Sequence, residues 1–204
     1  MSTVMVYNEA RKDVTRTTAT EVTDQALRTR SGSLNLLVSN FDRFYVLLHR
    51  YLLHRLFDAE LAEELTGQTF YKAAATARRL PENATHMQAW LLRAATNLAN
   101  THYRRKRLHQ LLLGRFAEGR PAAREPEADP NASVDQQPAH VRAALLALPP
   151  KYQAVIVLRF YTHLSVREIS EVLGCRQDAV RTRLSRAMKK LREWLDIHGS
   201  SSDT

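Results

Sequence analysis

Apolar residues recur along this chain at intervals of three and four, which is the spacing of one face of an amphipathic helix. The pattern occupies two stretches. Three helical runs make up the first, beginning near Phe41, after Asp58 and near Thr85. Four shorter runs make up the second, between Val141 and Leu195. No alternation of apolar and polar residues typical of a strand competes in the first stretch. The spacing therefore predicts an all-α protein.

The two stretches are separated by a segment that contains almost no large apolar residues. Between Gly114 and Gln137 the chain has three prolines and two glycines among Ala, Glu and Asp. Loops longer than about 12–15 residues are uncommon inside one compact domain, so a flexible linker is favoured over a surface loop. The predicted organisation is an N-terminal extension over 1–39, disordered or loosely docked, a three-helix domain over 40–109, a flexible linker over 110–137, a four-helix domain with a helix-turn-helix over 138–196, and a tail over 197–204.

The charge of the chain points to a polyanionic partner. Thirty Lys and Arg stand against 21 Asp and Glu, a net charge of +9. Residues 41–108 hold eleven basic and six acidic side chains, and residues 137–195 hold eleven and four, whereas the segment between them is acidic. An excess of positive charge on two separate helical stretches is typical of nucleic-acid binding.

Several classes of protein are disfavoured by what the sequence lacks. The single cysteine, Cys175, cannot form an internal disulfide, and no Cys or His cluster has zinc-site spacing. No apolar run is long enough for a signal peptide or a membrane span, so we expect a cytoplasmic, nucleoid-associated protein without membrane insertion. Nucleotide-binding and hydrolase motifs are also missing. We therefore expect no catalytic residue, no metal and no cofactor.

The clearest local motif lies in the second stretch. Ser165 and Glu168 have the spacing of a capping box, Gly174 suits a helix C-terminus, and a new apolar pattern begins at Val180 after a short turn. Two helices joined by such a turn predict a helix-turn-helix, whose second helix enters the DNA major groove. The side chains on its polar face can bind bases and phosphates. They are Gln177, Asp178, Arg181, Thr182, Ser185, Arg186 and Lys189, with Arg183 to the side of this face as a further candidate.

A second candidate surface ends the third helical run. Amides, an aromatic ring and four consecutive cations follow one another there, a mixture that suits exposed bases as well as phosphates. Cations also favour any helix C-terminus through the macrodipole, so the tract by itself leaves nucleic-acid binding open. Its candidate residues are Asn97, Asn100, His102, Arg104 and Arg105.

Three strings together resemble one family, the extracytoplasmic-function (ECF) sigma factors of bacterial RNA polymerase, in the sigma-70 superfamily. Residues 62–70, AEELTGQTF, are similar to part of its region 2. Residues 89–99, AWLLRAATNLA, with YRR at 103–105, are similar to the later part of region 2. Residues 147–160 and 164–187 resemble region 4 almost from end to end.

The resemblance implies a promoter-specificity factor without an active site of its own, which binds core RNA polymerase, promoter DNA and an anti-sigma protein. Region 4 would read the minus-35 element, and the tract from Asn97 to Arg105 would open the minus-10 element. Core polymerase would dock on the second helix. The matching positions there are Leu61, Glu64, Leu65, Gln68, Thr69 and Lys72. Gly67 and Gln68 depart from the family pattern, which has Gln and Glu at these positions.

Two other functions compete with this interpretation. One is a helix-turn-helix regulator that binds duplex DNA without engaging core polymerase, with the first three helices as a dimerisation module. A dimerisation module has no need of the amide-rich basic tract that ends the third helix. The other is a small enzyme acting on nucleic acid, which the absence of metal-ligand clusters disfavours.

Overall fold

The computed structural model describes residues 32–116 and 139–199, which form eight α-helices. They are α1 over 32–39, α2 Phe41–Leu56, α3 Ala59–Ala75, α4 Ala84–Phe116, α5 Ala139–Ala147, α6 Pro150–Ile156, α7 Val166–Leu173 and α8 Gln177–Gly199. A 3₁₀ turn, Ala77–Arg79, follows α3, and a π-helical turn, Val157–Tyr161, continues α6. No strand occurs in the described ranges, and the prediction of an all-α fold is confirmed.

Local capping explains where several helices begin and end. The side chain of Asp58 accepts a hydrogen bond from the Leu61 N–H at 2.9 Å, which starts α3. Ser165 and Glu168 form the predicted capping box at the start of α7. Gly174 ends α7 with φ 61°, a left-handed conformation that glycine adopts without steric cost.

Other boundaries differ from the sequence predictions. Helix α4 does not end at Arg107 but continues to Phe116, because the residues that follow the basic run, rich in leucine, are good helix formers. The predicted linker over 110–137 is therefore helical at its start, and residues 117–138 lie outside the described ranges. Helix α3 ends at Ala75, before the 3₁₀ turn. Asn40 occupies the N-cap position of α2 but its side chain makes no cap bond there.

The predicted N-terminal extension is partly helical and packed. Residues 1–31 lie outside the described ranges, but residues 32–39 form α1. Leu37 of α1 is buried, and the buried Ser33 hydroxyl donates to the Leu80 carbonyl at 3.2 Å. The folded part thus begins before the predicted boundary at residue 40, because an apolar side chain and a satisfied hydroxyl tie α1 to the loop after α3.

The N-terminal half (residues 32–116) and the C-terminal half (residues 139–199) pack against each other. Leu48 and Leu91 of the first and Val155 and Ile169 of the second belong to one continuous cluster of buried side chains. Helix α2 contacts the π-helical turn after α6, and α4 contacts α7. None of the described helices combines the length and apolar character needed to cross a bilayer.

Candidate nucleic-acid interface

Helix α8 has one face in the core and one in solvent. Val180 and Ala187 are buried, and Leu184 and Leu191 pack partly buried against the core. The opposite face is exposed over the first three turns of the helix and is rich in hydrogen-bond donors. Its exposed members are Gln177, Asp178, Arg181, Thr182, Ser185, Arg186 and Lys189. The structure thus brings seven of the eight predicted minus-35 residues onto one accessible surface.

Arg183 is the exception among the predicted minus-35 residues. Its side chain is half-buried, and its guanidinium donates to the Cys175 thiol at 3.7 Å. It therefore packs against the turn of the helix-turn-helix instead of extending outward. Arg183 lies two residues after Arg181, a step of about 200° around a helix, so the two side chains cannot share a face.

Two ion pairs organise the charges on the exposed face. Arg181 donates to Asp178 at 2.8 Å, and Lys189 lies 3.8 Å from Glu193. All four side chains are more than half exposed, so these pairs contribute little to stability. The Arg181–Asp178 bond nevertheless holds the arginine along the N-terminal turn of α8, the part of a recognition helix that reaches base edges.

The basic and amide-rich tract of α4 lines a groove of about 660 Å³. Asn97, Asn100 and Arg104 contribute to it, together with Lys151 from the start of α6. Among the residues that the structure describes, no carboxylate lines this groove. An acid-free groove with amides and cations fits a segment of nucleic acid, whose phosphates attract the cations while its bases bond to the amides.

His102 and Arg105, which were predicted with this tract, do not line the groove. Arg105 is exposed on a neighbouring face of α4. His102 is half-buried with its ring 6.2 Å from that of Tyr103. Burial, with a smaller contribution from Lys106, lowers the pKa of His102 below its usual value of 6.5. The imidazole is therefore neutral at pH 7.

Arg55, which was not among the predicted residues, is fully buried beneath the groove. Its guanidinium donates to the Tyr51 hydroxyl at 2.7 Å and to the Asn100 side-chain oxygen at 2.6 Å. Because the Asn100 oxygen is engaged from inside the protein, its NH₂ group is left to face a ligand. Arg55 follows Leu48 by seven residues and Tyr51 by four. This spacing puts an arginine on the apolar face of α2, and the sequence could therefore have indicated a buried cation there.

Further hydrogen bonds fix α2 against α4 around Arg55. The Tyr51 and Thr96 hydroxyls lie 2.8 Å apart, and Thr96 donates to the Leu92 carbonyl. The Tyr103 hydroxyl donates to the Arg55 carbonyl at 2.6 Å. Burial raises the pKa of Tyr103 above its usual value of 10.0, so the phenol stays protonated and keeps donating. The network joins α2 to α4 beneath the groove.

The residues of the predicted docking face on α3 divide between a buried and an exposed side of the helix. Leu65 and Thr69 are buried, and the Thr69 hydroxyl donates to the Leu65 carbonyl. The helical repeat places them on the inner face of α3, toward α2 and α4. Glu64, Gln68 and Lys72 are exposed and Leu61 is half-buried. Gln68 donates to Glu64 at 2.8 Å, so these two form one polar patch.

Among residues 32–116 and 139–199, no group of three or more His, Cys, Asp or Glu side chains is placed to hold an ion. The lone cysteine, Cys175, is half-buried in the turn between α7 and α8.

Two family profiles match the chain in the order that its two halves follow. Residues 41–109 match the family described as Sigma-70 region 2, and residues 140–191 match that described as Sigma-70, region 4. The first includes the α4 tract and the second includes the exposed face of α8.

Three individual proteins similar to this chain are each named an ECF RNA polymerase sigma factor. The chain is 30% identical to the ECF RNA polymerase sigma factor SigW of Bacillus subtilis over 161 residues, 76% of this chain and 83% of SigW. It is 27% identical to BldN of Streptomyces coelicolor over 80% of this chain and 62% of BldN. It is 32% identical to SigE of Mycolicibacterium smegmatis over 69% of this chain and 54% of SigE. The chain thus spans less than two thirds of the last two relatives.

Two solved structures share the fold. The sigma factor RpoE of Bartonella quintana, in complex with the anti-sigma factor NepR, superposes with a TM-score of 0.59 at 22% identity, covering 79% of this chain and 98% of that one. CnrH, in complex with the cytosolic domain of CnrY, superposes with a TM-score of 0.54 at 23% identity, covering 85% of this chain and 96% of that one.

Two sigma-70 regions in sequence, on an all-α fold with two exposed basic faces, define a sigma-70 type protein. Within that class, the chain belongs to the ECF RNA polymerase sigma factors.

Proposed function

We propose that this protein binds core RNA polymerase and directs it to start transcription at one class of promoters. The observation that carries the proposal is the presence of two donor-rich, accessible surfaces on different halves of one chain, the exposed face of α8 and the α4 groove. A regulator of duplex DNA needs only the first of these surfaces. The second suits unpaired bases, which occur when a promoter is opened.

The two surfaces would divide the promoter between them. Helix α8 would enter the major groove of the minus-35 element with Gln177 and Arg181 toward base edges and Lys189 toward phosphates. The groove on α4 would hold the opened minus-10 strand, with Asn100 donating from an amide whose oxygen Arg55 occupies. Each contact uses a residue type matched to the chemistry of its DNA target.

Core polymerase would dock on the exposed patch of α3. Leu61, Glu64, Gln68 and Lys72 form this patch once the buried Leu65 and Thr69 are removed from the predicted set. Gly67 lies between Glu64 and Gln68 and is itself exposed, with open space around it. The patch is polar, so docking there would rest on hydrogen bonds and charge complementarity.

An anti-sigma protein is the further partner that we propose. The solved sigma factor RpoE of Bartonella quintana is bound to the anti-sigma factor NepR, and its fold covers most of this chain. A protein of this kind would act on the same docking and DNA-binding surfaces to block transcription.

Transcription of genomic DNA from the source cell tests the proposal. Core RNA polymerase is incubated with fragmented DNA with and without the protein, and the 5′ ends of the transcripts are sequenced. New 5′ ends that share one upstream sequence pattern are expected only when the protein is present. Glu64→Ala combined with Gln68→Ala should reduce them, whereas Glu82→Ala, an exposed change outside the patch, should not. DNA binding without any new 5′ end would indicate a regulator that does not engage core polymerase.

A further inference from the structure

We propose that the α4 groove selects unpaired bases that carry a carbonyl group, thymine and guanine, over adenine and cytosine, which carry an amino group at the same place. The selecting group is the amide of Asn100, and Arg55 is the positioning residue that fixes its orientation. The selection deepens the proposed function and rests on it in one respect, that the opened strand lies in this groove. Arg55 acts through Asn100, since its own side chain is buried beneath the groove.

The contact between Arg55 and Asn100 allows one orientation of the amide. A guanidinium has five N–H donors and no acceptor, so the atom of Asn100 that lies 2.6 Å from Nη2 of Arg55 is the side-chain oxygen. The NH₂ group is on the other branch of the same amide, and Asn100 is an exposed residue that lines the groove. The groove therefore receives the donors of Asn100 and not its acceptor.

Burial holds Arg55 at this contact. Its guanidinium also donates to the Tyr51 hydroxyl at 2.7 Å and to the Pro150 carbonyl at 3.4 Å. Among the described residues, no carboxylate pairs with it and its Nε has no hydrogen-bond partner. A buried cation without a counter-ion is unfavourable, so each oxygen that faces it matters. The Asn100 oxygen is one of these few compensating groups, and a turn of the amide would replace it with a second donor.

The second asparagine of the groove has no such constraint. Asn97 lies one turn earlier on α4, is exposed and lines the same groove. Its backbone carbonyl accepts from the Thr101 hydroxyl, but its side-chain amide has no hydrogen-bond partner in the described part of the chain. An amide that can turn offers either its oxygen or its NH₂ group. Of the two asparagines, only Asn100 therefore discriminates between the two classes of base.

The bases differ in what they offer to a fixed donor. Guanine presents the acceptors O6 and N7 and thymine presents O4, whereas adenine and cytosine present amino groups, which are donors. An unconstrained asparagine pairs with adenine through both amide groups, accepting from the amino group and donating to N7. That pairing is lost when Arg55 occupies the Asn100 oxygen. One hydrogen bond changes an affinity by a factor of about 2–10, which sets the size of the expected preference.

Two matched single-stranded oligomers test the selection. They are an oligomer of thymidine and one of 5-methyldeoxycytidine, whose base keeps the methyl group and size of thymine but has an amino group in place of O4. The full chain should bind the thymidine oligomer about fivefold more tightly. Arg55→Met frees the Asn100 amide and should bring the two affinities close together. A wild-type protein without the preference, or an Arg55→Met protein that keeps it in full, refutes the selection.

Arg159→Met is the matched control for the loss of a cation. Arg159 is exposed and donates to the Leu164 carbonyl at 3.0 Å within the C-terminal half. Its replacement should therefore leave the preference for thymidine at the wild-type value. Circular dichroism should show the wild-type helical content in both arginine variants.

Asn100→Asp reverses the chemistry at the same position. Both oxygens of a carboxylate accept hydrogen bonds, so this variant should prefer the 5-methyldeoxycytidine oligomer. The carboxylate also gives the buried Arg55 a counter-ion, so the urea midpoint of unfolding should rise. Asn97→Asp, the same change one turn earlier, should not raise it. An unreversed preference, or equal midpoints in the two variants, would show that Arg55 does not fix residue 100.

These measurements need no RNA polymerase, so they can fail separately from the proposed function. New 5′ ends in the transcription experiment without a base preference would refute the selection alone. A base preference without new 5′ ends would refute the proposed function and leave a groove that selects among single strands. If the wild-type protein binds neither oligomer, the selection is wrong, and the transcription experiment still decides the proposed function.

Discussion

At the scale of single residues, two glycines of the chain have opposite roles. Gly67 lies inside α3 with open space where a Cβ would stand, whereas Gly174 has φ +61° in the turn after α7. Gly67→Ala should raise the free energy of unfolding by about 1 kcal/mol, because glycine is a poor helix former. Gly174→Ala should lower it by about 1–2 kcal/mol, because the left-handed conformation disfavours a Cβ. Urea unfolding of both variants checks these signs, and a destabilised Gly67→Ala protein would contradict them.

The capping box at the start of α7 makes a small part of the stability depend on pH. The Ser165 hydroxyl and backbone N–H both donate to the Glu168 carboxylate, which holds the pKa of Glu168 below its usual value of 4.5. A carboxyl whose pKa is lower in the folded state stabilises that state above the unfolded pKa, and this contribution is lost as the pH falls through the folded pKa. The contribution of the Glu168 carboxylate to the stability of the folded state is therefore present at pH 7 and is lost in acid.

Replacing Glu168 tests this pH dependence. Glu168→Ala should lower the free energy of unfolding at pH 7 by about 0.5–1 kcal/mol, as expected for a lost capping interaction. The difference from the wild type should shrink as the pH falls below about 4.5. Denaturant unfolding at a series of pH values measures it, with the exposed Glu63→Ala as a control. A difference that stays constant down to pH 3 would show that the carboxylate is not what stabilises the helix start.

At the scale of elements, position along α8 should separate base contacts from phosphate contacts. Arg181 lies in the first turns, held by Asp178, whereas Lys189 lies two turns later. Under the proposed function, Arg181→Ala should cost about 1–3 kcal/mol on the correct minus-35 sequence and relax discrimination. Lys189→Ala should weaken correct and scrambled sites alike and reduce the salt slope by about one unit. Binding titrations at several salt concentrations, on the correct and the scrambled sites, distinguish base contacts from phosphate contacts. Equal losses on both sites for Arg181→Ala would make Arg181 a phosphate contact.

The helices themselves were predictable because their signals are local. The capping box at Ser165 and the glycine at 174 fix where α7 begins and ends, and both can be seen within a few residues of sequence. The exposed face of α8 also followed from periodicity. Leu65 and Thr69 were named as docking positions from the resemblance, which identifies positions along α3 but does not say which of them face inward. The contact of Arg183 with Cys175 could not be predicted, because it depends on the tertiary position of the turn.

At the scale of the whole molecule, the contact between the halves could not be predicted from the sequence. A helix C-terminus offers carbonyls whatever its side chains are, so the bonds from Gln153 to α2 and from Arg93 to α7 leave no motif. The sequence predicts two helical stretches and their charges, and we interpreted these stretches as separate domains joined by a linker. In the structure they share one buried cluster, and this shared cluster should make them unfold together.

The two tryptophans of the chain allow this cooperativity to be measured in each half. Trp90 is in α4 of the N-terminal half, and Trp194 is in α8 of the C-terminal half. Trp194→Phe leaves fluorescence that reports the first half, and Trp90→Phe leaves fluorescence that reports the second. Urea midpoints from the two single-tryptophan proteins should coincide, because a shared core makes unfolding all-or-none.

Removing the side-chain hydrogen bonds between the two halves should separate the two transitions. With Arg93→Ala, Arg142→Ala and Gln153→Ala added to each single-tryptophan protein, the donors from one half to the helix ends of the other are lost, while Tyr103 still donates to the Arg55 carbonyl within the N-terminal half. Each half then unfolds with its own free energy, and the smaller, less buried half should unfold first, since a small domain buries a smaller fraction of its surface. Adding Arg159→Ala instead should leave the two midpoints together. Midpoints that already differ before any of these three substitutions is made would show that the halves fold independently and that the contacts between them contribute little to stability.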